Sequence, residues 1–280
     1  MNIKKQNLSI AVLLTCFNRV ETTLKCLEKL YKATVPVGYQ FDVFLVDDNS
    51  PDKTGKLVKE KYPLVNVIMG TGDLYWNGGM RLAWNTASQI KDYDFYLWLN
   101  DDTLIESQAI DNIILDYNYL KGKNIESLIV SALKDPYTKE ITYSGRMEGI
   151  KVIPCGNPTE CTYITGNFVL VSKIIFNKVG NLESLFSHGM GDNDYGFRTI
   201  KAGFKCHVTS FYMGYCKLNN KIQWHDSRNT LQQRFKLLFS KTDGNIIEYL
   251  QFVKIHRGSL TMYLSASKTL IRLVFPKFIN

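Results

Sequence analysis

The stretch "SIAVLLTCFNRVETTLKCLEKLYKA", Ser9 to Ala33, contains both of the periods on which the fold turns. Ser9 to Thr15 is a short apolar run bounded by polar residues, and apolar groups recur at helical spacing from Val20 onward, so a strand leads into a helix. "FDVFLVDDNS" repeats the theme, with an apolar strand from Phe41 to Val46, two acids, and then "SPDKTGKLVKEKY". There Ser50 followed by Pro51 reads as a helix cap with proline at the first helical position. "LVNVIMG" predicts a third strand, Gly78 to Ile90 a third helix, and "DYDFYLWLN" a fourth strand. Strands alternating with helices in this way predict an α/β fold, a mostly parallel Rossmann-like sheet covered on both faces.

Further along, the alternation loosens. Gln108 to Leu120 reads as helix and "SLIVSAL" as strand, while "DPYTKEITYSGRMEGIKVIPCGNPTE" is polar and turn-rich, as hairpins or a surface loop would be. "CTYITGNFVLVS" brings a strand back, "KIIFNKVG" a short helix ended by Gly180, and "DNDYGFRTIKAGFKCHVTSFYM" a helix followed by a strand. From Leu231 the pattern is helical.

With 280 residues and 45% hydrophobic content, the chain can bury a sizeable core, which excludes disorder for most of its length. The 34 Lys and Arg against 26 Asp and Glu leave a charge of +8, which suits an anionic partner, a phosphate ester, a nucleic acid or an acidic membrane surface, without choosing among them. Six cysteines without a CxxC pair, and no secretory signal at the start, point to a reduced cytoplasmic setting and away from a cysteine-built zinc site. No apolar run reaches the roughly eighteen residues of a spanning helix.

Chemistry-bearing residues gather at strand ends, where open α/β sheets bind ligands. The first strand ends in "TCFNR" (Thr15 to Arg19), the second in "DDNS" (Asp47 to Ser50) and the fourth in "NDDT" (Asn100 to Thr103). Asp47 and Asp48 can cap the following helix, or accept hydrogen bonds from a ribose or base, a task for which Asp47, nearer the apolar strand, is the better candidate. Asp101 and Asp102 can form a turn before the next helix, or hold Mg²⁺ or Mn²⁺ together with a substrate's phosphates. "GTGDLYWNGGMRLAWN" opens the third helix with glycines but matches neither G-x-G-x-x-G nor the Walker pattern.

In their order along the chain, these motifs resemble family 2 glycosyltransferases of the GT-A fold, of the rhamnosyl- and galactosyltransferase-like type that builds bacterial surface polysaccharides. "LLTCFNR" resembles the family's opening strand, "VDDNS" its nucleotide-binding acids, and "LNDDT" a variant of its D-x-D metal motif. "ITGNFVLVSKIIFNKVGNLESLF" followed by "GDNDYGFRTIKAGFK" resembles its acceptor-side segment. The likeness runs from about Ile10 to about Ser227.

The resemblance implies a catalytic domain over residues 1–228, with a nucleotide-sugar half to about 104 and an acceptor half beyond, followed by a helical basic extension over 229–280. It implies an inverting transfer from a nucleotide-sugar donor to a glycan or lipid-linked glycan acceptor, assisted by a divalent cation, with no nucleic acid partner. Thr15, Phe17, Arg19, Asp47, Trp76, Asn77, Gly79, Arg81, Asn100 and Asp101 would face the donor, with Asp102 and the late His225 as metal ligands. Gly166, Asp194 and Arg198 would lie on the acceptor side. Asp192 would be the general base; Gly191 stands where relatives carry Glu, so Asp194 remains the second candidate.

Other enzyme classes fit less well. A haloacid-dehalogenase-type phosphatase needs an Asp where Leu99 stands, and a nucleotidyltransferase needs a glycine-rich basic loop where the chain has "TCFNRVE". A non-catalytic nucleotide- or glycan-binding protein on the same scaffold is the alternative of a different kind. The last thirty residues, Gln251 to Asn280, carry Lys254, Arg257, Lys268, Arg272 and Lys277 with no acid. They read either as the solvated face of docked helices or as an interfacial segment drawn to anionic lipids at the inner face of the membrane.

Overall fold

The computed structural model describes residues 7–218, 224–242 and 245–277. In chain order its elements are β1 (Leu8–Cys16), α1 (Val20–Lys32), β2 (Tyr39–Asp47), α2 (Thr54–Lys61), β3 (Asn66–Met69), α3 (Tyr75–Ile90), β4 (Phe95–Leu99) and β5 (Leu104–Ile105). There follow α4 (Ala109–Gly122), β6 (Ser127–Lys134), β7 (Arg146–Met147), β8 (Ile150–Lys151), β9 (Thr159–Cys161), β10 (Phe168–Ser172), α5 (Lys173–Val179), α6 (Gly191–Lys201) and β11 (Lys205–Tyr215). The chain closes with α7 (Leu231–Leu238), α8 (Ile246–Arg257) and α9 (Ser259–Val274).

Among the described residues nine strands form the main sheet, in the order β3-β2-β1-β4-β10-β6-β11-β5, with β9 pairing β11. β3, β2, β1 and β4 are mutually parallel, as expected, whereas β10 runs antiparallel between β4 and β6. Alternation along each strand splits the core into two layers. Ile10, Val12 and Leu14 of β1 face Leu27 and Leu30 of α1, while Ala11 and Leu13 face Met80, Ala83 and Trp84 of α3. Both faces are covered, which is why β1 and β4 read as nearly unbroken apolar runs.

Three helix and strand boundaries differ from expectation, each for a visible reason. α2 begins at Thr54 rather than at Pro51, because Asp47 accepts hydrogen bonds from the Ser50 and Gly55 amides and Asp52 from that of Thr54. Ser50 itself accepts from the Asn18 amide and ties the first two strand-end loops together. α3 begins at Tyr75 rather than Gly78, because Asp48 takes the amides of Leu74 and Tyr75 and supplies the cap from a neighbouring strand. The single strand expected over Cys161 to Ser172 is two, β9 and β10, with a bend at Gly166.

The C-terminal helices dock on the rest. Phe252 and Val253 of α8 bury themselves against Phe186, Met190 and Phe197. His256 Nε2 of the same helix lies 2.9 Å from Asp194 Oδ1 of α6. Among the described residues no helix is long and apolar enough to cross a membrane.

Candidate active site

At the carboxyl ends of β1, β2 and β4 lies a cavity of about 360 Å³, lined by Thr15, Phe17, Arg19, Asp48, Tyr75, Trp76, Asp101, His188 and Thr242, among others. Each wall has a local cause. Gly79 lets α3 lie against β1, since a Cβ there would stand 2.1 Å from Thr15 Oγ1. Tyr75 enters α3 with φ of +55°, unusual for a residue with a side chain, and its three-amide neighbourhood of Gly72, Leu74 and Tyr75 is held by the Asp48 carboxylate.

The two "DD" pairs behave differently. Asp48, rather than Asp47, lines the cavity; Asp47 turns both oxygens into the start of α2 and is buried there. Asp101 and Asp102 share one guanidinium nitrogen, Arg19 Nη1, at 3.0 and 3.1 Å. Asp101 is only 5% exposed and also accepts from Thr23 Oγ1. Burial, with Asp102 adding to it, pushes the Asp101 carboxyl up to about 6 against the pull of Arg19. The free oxygen of Asp102 lies 3.5 Å from the Cys216 thiol, which sequence reasoning did not bring to this site.

Asn100 does not extend the acid pair as a ligand: its Oδ1 accepts from the Trp76 indole at 2.7 Å. Asn77 does not face the cavity either. It is fully buried, donating from Nδ2 to the carbonyls of Glu183 and Phe186, and so fastens α3 to the loop before α6. This contact accounts for Gly191, since a Cβ there would lie 2.0 Å from Asn77 Oδ1. Arg81 is absent from the cavity wall, and its backbone carbonyl accepts from Asn181.

Residues expected on the donor side and residues expected on the acceptor side meet at Gly166. A Cβ at this glycine would stand 2.5 Å from the Trp76 ring and 3.4 Å from Asp192 Cβ, so only glycine lets the indole and the acid converge. Asp192 accepts hydrogen bonds from the amides of Gly166 and Asn193. Burial pushes its carboxyl up despite those donors. Asp194, two residues on, is 2% exposed and fully engaged, by Arg198 Nε at 2.7 Å and by His256. Arg198 spends its other nitrogens on the carbonyls of Val179 and Asn181.

His225 is not brought to Asp102. It lines a second cavity, built from the C-terminal helices, where burial and then Arg272 hold its imidazole below the usual range. No group of three or more His, Cys, Asp or Glu suited to a metal ion occurs among the described residues. Asp101 and Asp102 therefore suit a divalent cation only as partners of a donor's phosphates, which is the manner in which Mg²⁺ is commonly held.

Cys16, Asp48 and Tyr75 of the cavity wall lie inside the quoted motifs without having been named as site residues, and His188 and Thr242 were missed altogether. His188 had a faint signal, its position just ahead of "GDND"; Thr242, from the loop between α7 and α8, had none.

This sheet order, with its strand-end cavity, is a GT-A fold. The sequence profile described as "Glycosyl transferase family 2" matches residues 11–141, a little under half the chain. Among solved structures, that of S. aureus TarS is 13% identical with a TM-score of 0.55, covering 89% of this chain and 43% of its own. TarS residues 1–349 in complex with UDP-GlcNAc are 12% identical with a TM-score of 0.59, covering 95% of this chain and 79% of theirs. The same TarS segment with UDP is 12% identical with a TM-score of 0.58, covering 97% and 81%. The chain thus spans less than half the length of the full TarS structure, and at such identities the likeness is one of fold. No curated protein sequence matches it.

Proposed function

We propose that the chain is an inverting glycosyltransferase that moves a hexosyl or deoxyhexosyl group from a nucleoside-diphosphate donor to a hydroxyl of a lipid-linked glycan in surface-polysaccharide synthesis. The observation that carries this is the convergence at Gly166, which sets a carboxylate, Asp192, beside the Trp76 wall of the strand-end cavity. The match to the family profile over the donor-side elements supports it. In this reading residues 1–228 are the catalytic domain and 229–280 a helical extension docked on it through Phe252, Val253 and His256.

The donor's base and ribose enter between Phe17, Asp48 and Tyr75, with Asp48 taking the hydrogen-bonding task expected of Asp47. Trp76 covers the sugar. Asp192 accepts the proton of the acceptor hydroxyl as its oxygen bonds to the anomeric carbon. The bond from that carbon to the diphosphate breaks on the opposite side, its electron pair leaves with the nucleoside diphosphate, and the configuration inverts. Arg19, already poised at Asp101 and Asp102, offers positive charge to the departing phosphates. A divalent cation held by Asp102 and Asp101 with those phosphates would supply Lewis-acid neutralisation at the same point.

Calorimetry with UDP, the nucleotide in two of the similar structures, tests the donor site. Binding that strengthens with Mn²⁺ or Mg²⁺, together with slow hydrolysis of one member of a nucleotide-sugar panel, is the expected result; no binding of any nucleoside diphosphate would sink the reading.

The same proposal sets the protein on an anionic membrane as a peripheral protein. α9 exposes Leu260, Tyr263, Leu264, Leu270 and Ile271, apolar groups whose separations include the three, four and seven residues of one helix face, with the exposed Lys268 between them. Leu260→Glu combined with Ile271→Glu is expected to abolish pelleting with phosphatidylglycerol vesicles without lowering the melting temperature. Equal pelleting of variant and parent would remove the membrane from the account.

A further inference from the structure

The larger cavity, about 550 Å³, lies wholly within the C-terminal helices and the segment leading to them. Its wall carries three cations, Arg257, Lys268 and Arg272, on α8 and α9, with His225 beside them and the hydroxyls of Thr261, Ser265 and Thr269. Among the described residues no Asp or Glu lines it. Among the described residues none of the three cations has a carboxylate partner, and Arg272 Nε is buried without a hydrogen-bond acceptor. Of the described acids near it in sequence, Asp226 is spent on Arg228 and Glu248 on Ser187. A concentration of like charge around a hollow, with one guanidinium nitrogen unsatisfied, costs stability unless an anion enters.

The rest of the described wall is aliphatic and aromatic: Trp224, Leu238, Ile246, Tyr249 and Leu264. Leu264 belongs both to this wall and to the exposed apolar face of α9, so the cavity opens along a surface that an alkyl or isoprenyl chain can follow. At its other side Arg257 hydrogen-bonds the Tyr163 hydroxyl, and the Tyr163 ring stands edge-on to Phe197 of α6, the helix that carries Asp192. Tyr163 and Phe197 thus link the cavity to the helix that carries the candidate base.

We infer that this cavity binds the phosphate group of an anionic amphiphile, with Arg257, Lys268 and Arg272 on the phosphate oxygens and the apolar wall along the chain. Its position beside the acceptor side makes it the anchor for the carrier of the acceptor glycan. That last role rests on the glycosyl-transfer reading; the binding itself does not.

Calorimetry on the full chain, with UDP present to fill the strand-end cavity, tests it using three probes: farnesyl diphosphate, a short-chain phosphatidylglycerol below its micelle concentration, and inorganic pyrophosphate. At least one of the two amphiphiles should bind more tightly than pyrophosphate, and whichever does identifies an isoprenyl diphosphate or a glycerophospholipid as the source of the phosphate. Lys268→Gln and Arg272→Gln should each weaken that binding by about ten- to hundredfold, the range one charge-assisted hydrogen bond spans. Arg272→Lys should keep most of it, and UDP affinity should not change in any of the three. Binding unaltered in both glutamine variants, or no amphiphile bound by the parent, would overturn the inference. If the parent binds an amphiphile but no nucleoside diphosphate, the donor reading fails and the cavity assignment stands.

Discussion

Asp192→Asn is expected to cut turnover by about 10² to 10⁴-fold, the usual contribution of a positioned general base, while UDP binding stays within about twofold of the parent. The asparagine keeps the shape of the side chain and its acceptor oxygen for the Gly166 amide, so the bend that holds Trp76 survives. What is lost is the capacity to take a proton, together with the second oxygen that accepted from Asn193. The parent's pH profile carries the same signature. Because burial raises the Asp192 carboxyl above its ordinary value, the base is neutralised as pH falls through that raised value, and turnover should decline on the acid side sooner than for an exposed aspartate. Single-turnover rates across pH, at saturating donor and acceptor, check both statements. Retention of most turnover in the variant would remove Asp192 from the chemistry.

The parallel half of the sheet was legible in the sequence because its signals are local: an apolar run, a polar strand end, a helix period. The acids of "DDNS" and "NDDT" stood out for the same reason. Which way each acid turns was not legible. Asp47 and Asp48 are neighbours with the same chemistry, and one backbone step decides that the first serves α2 and the second serves α3 and the cavity. Ser50 and Pro51 imitate a helix start, yet Asp47 at the strand end and Asp52 beside them claim the amides that would have made it one. The part of the sheet beyond β4 was harder still, since the antiparallel β10 between β4 and β6 depends on pairings between distant segments. Gly191 looked like a departure that weakened the base assignment; the packed amide of Asn77 supplies its reason. His225 looked like a metal ligand by its order in the chain, and tertiary packing puts it among cations instead.

Asp194→Ala is expected to destabilise the fold by about 3–5 kcal/mol, the cost of breaking a buried ion pair by removing one partner. The carboxylate is 2% exposed and receives Arg198 Nε at 2.7 Å and His256 Nε2 at 2.9 Å. With the acid gone, Arg198 keeps its bonds to Val179 and Asn181 and so cannot swing out to water without breaking them, leaving a guanidinium with no counter-charge. His256 loses the contact that joins α8 to α6, and the C-terminal helices lose a polar anchor beside Phe252 and Phe197. The prediction therefore separates the two acids of "DND". Urea unfolding should show Asp194→Ala far less stable and Asp192→Asn close to the parent, because the Asp192 side chain bonds only backbone amides and the adjoining Asn193. His256→Ala should fall between them, keeping the ion pair but not the join. If Asp194→Ala proved as stable as the parent and inactive, while Asp192→Asn stayed active, the base and the strut would have to exchange places.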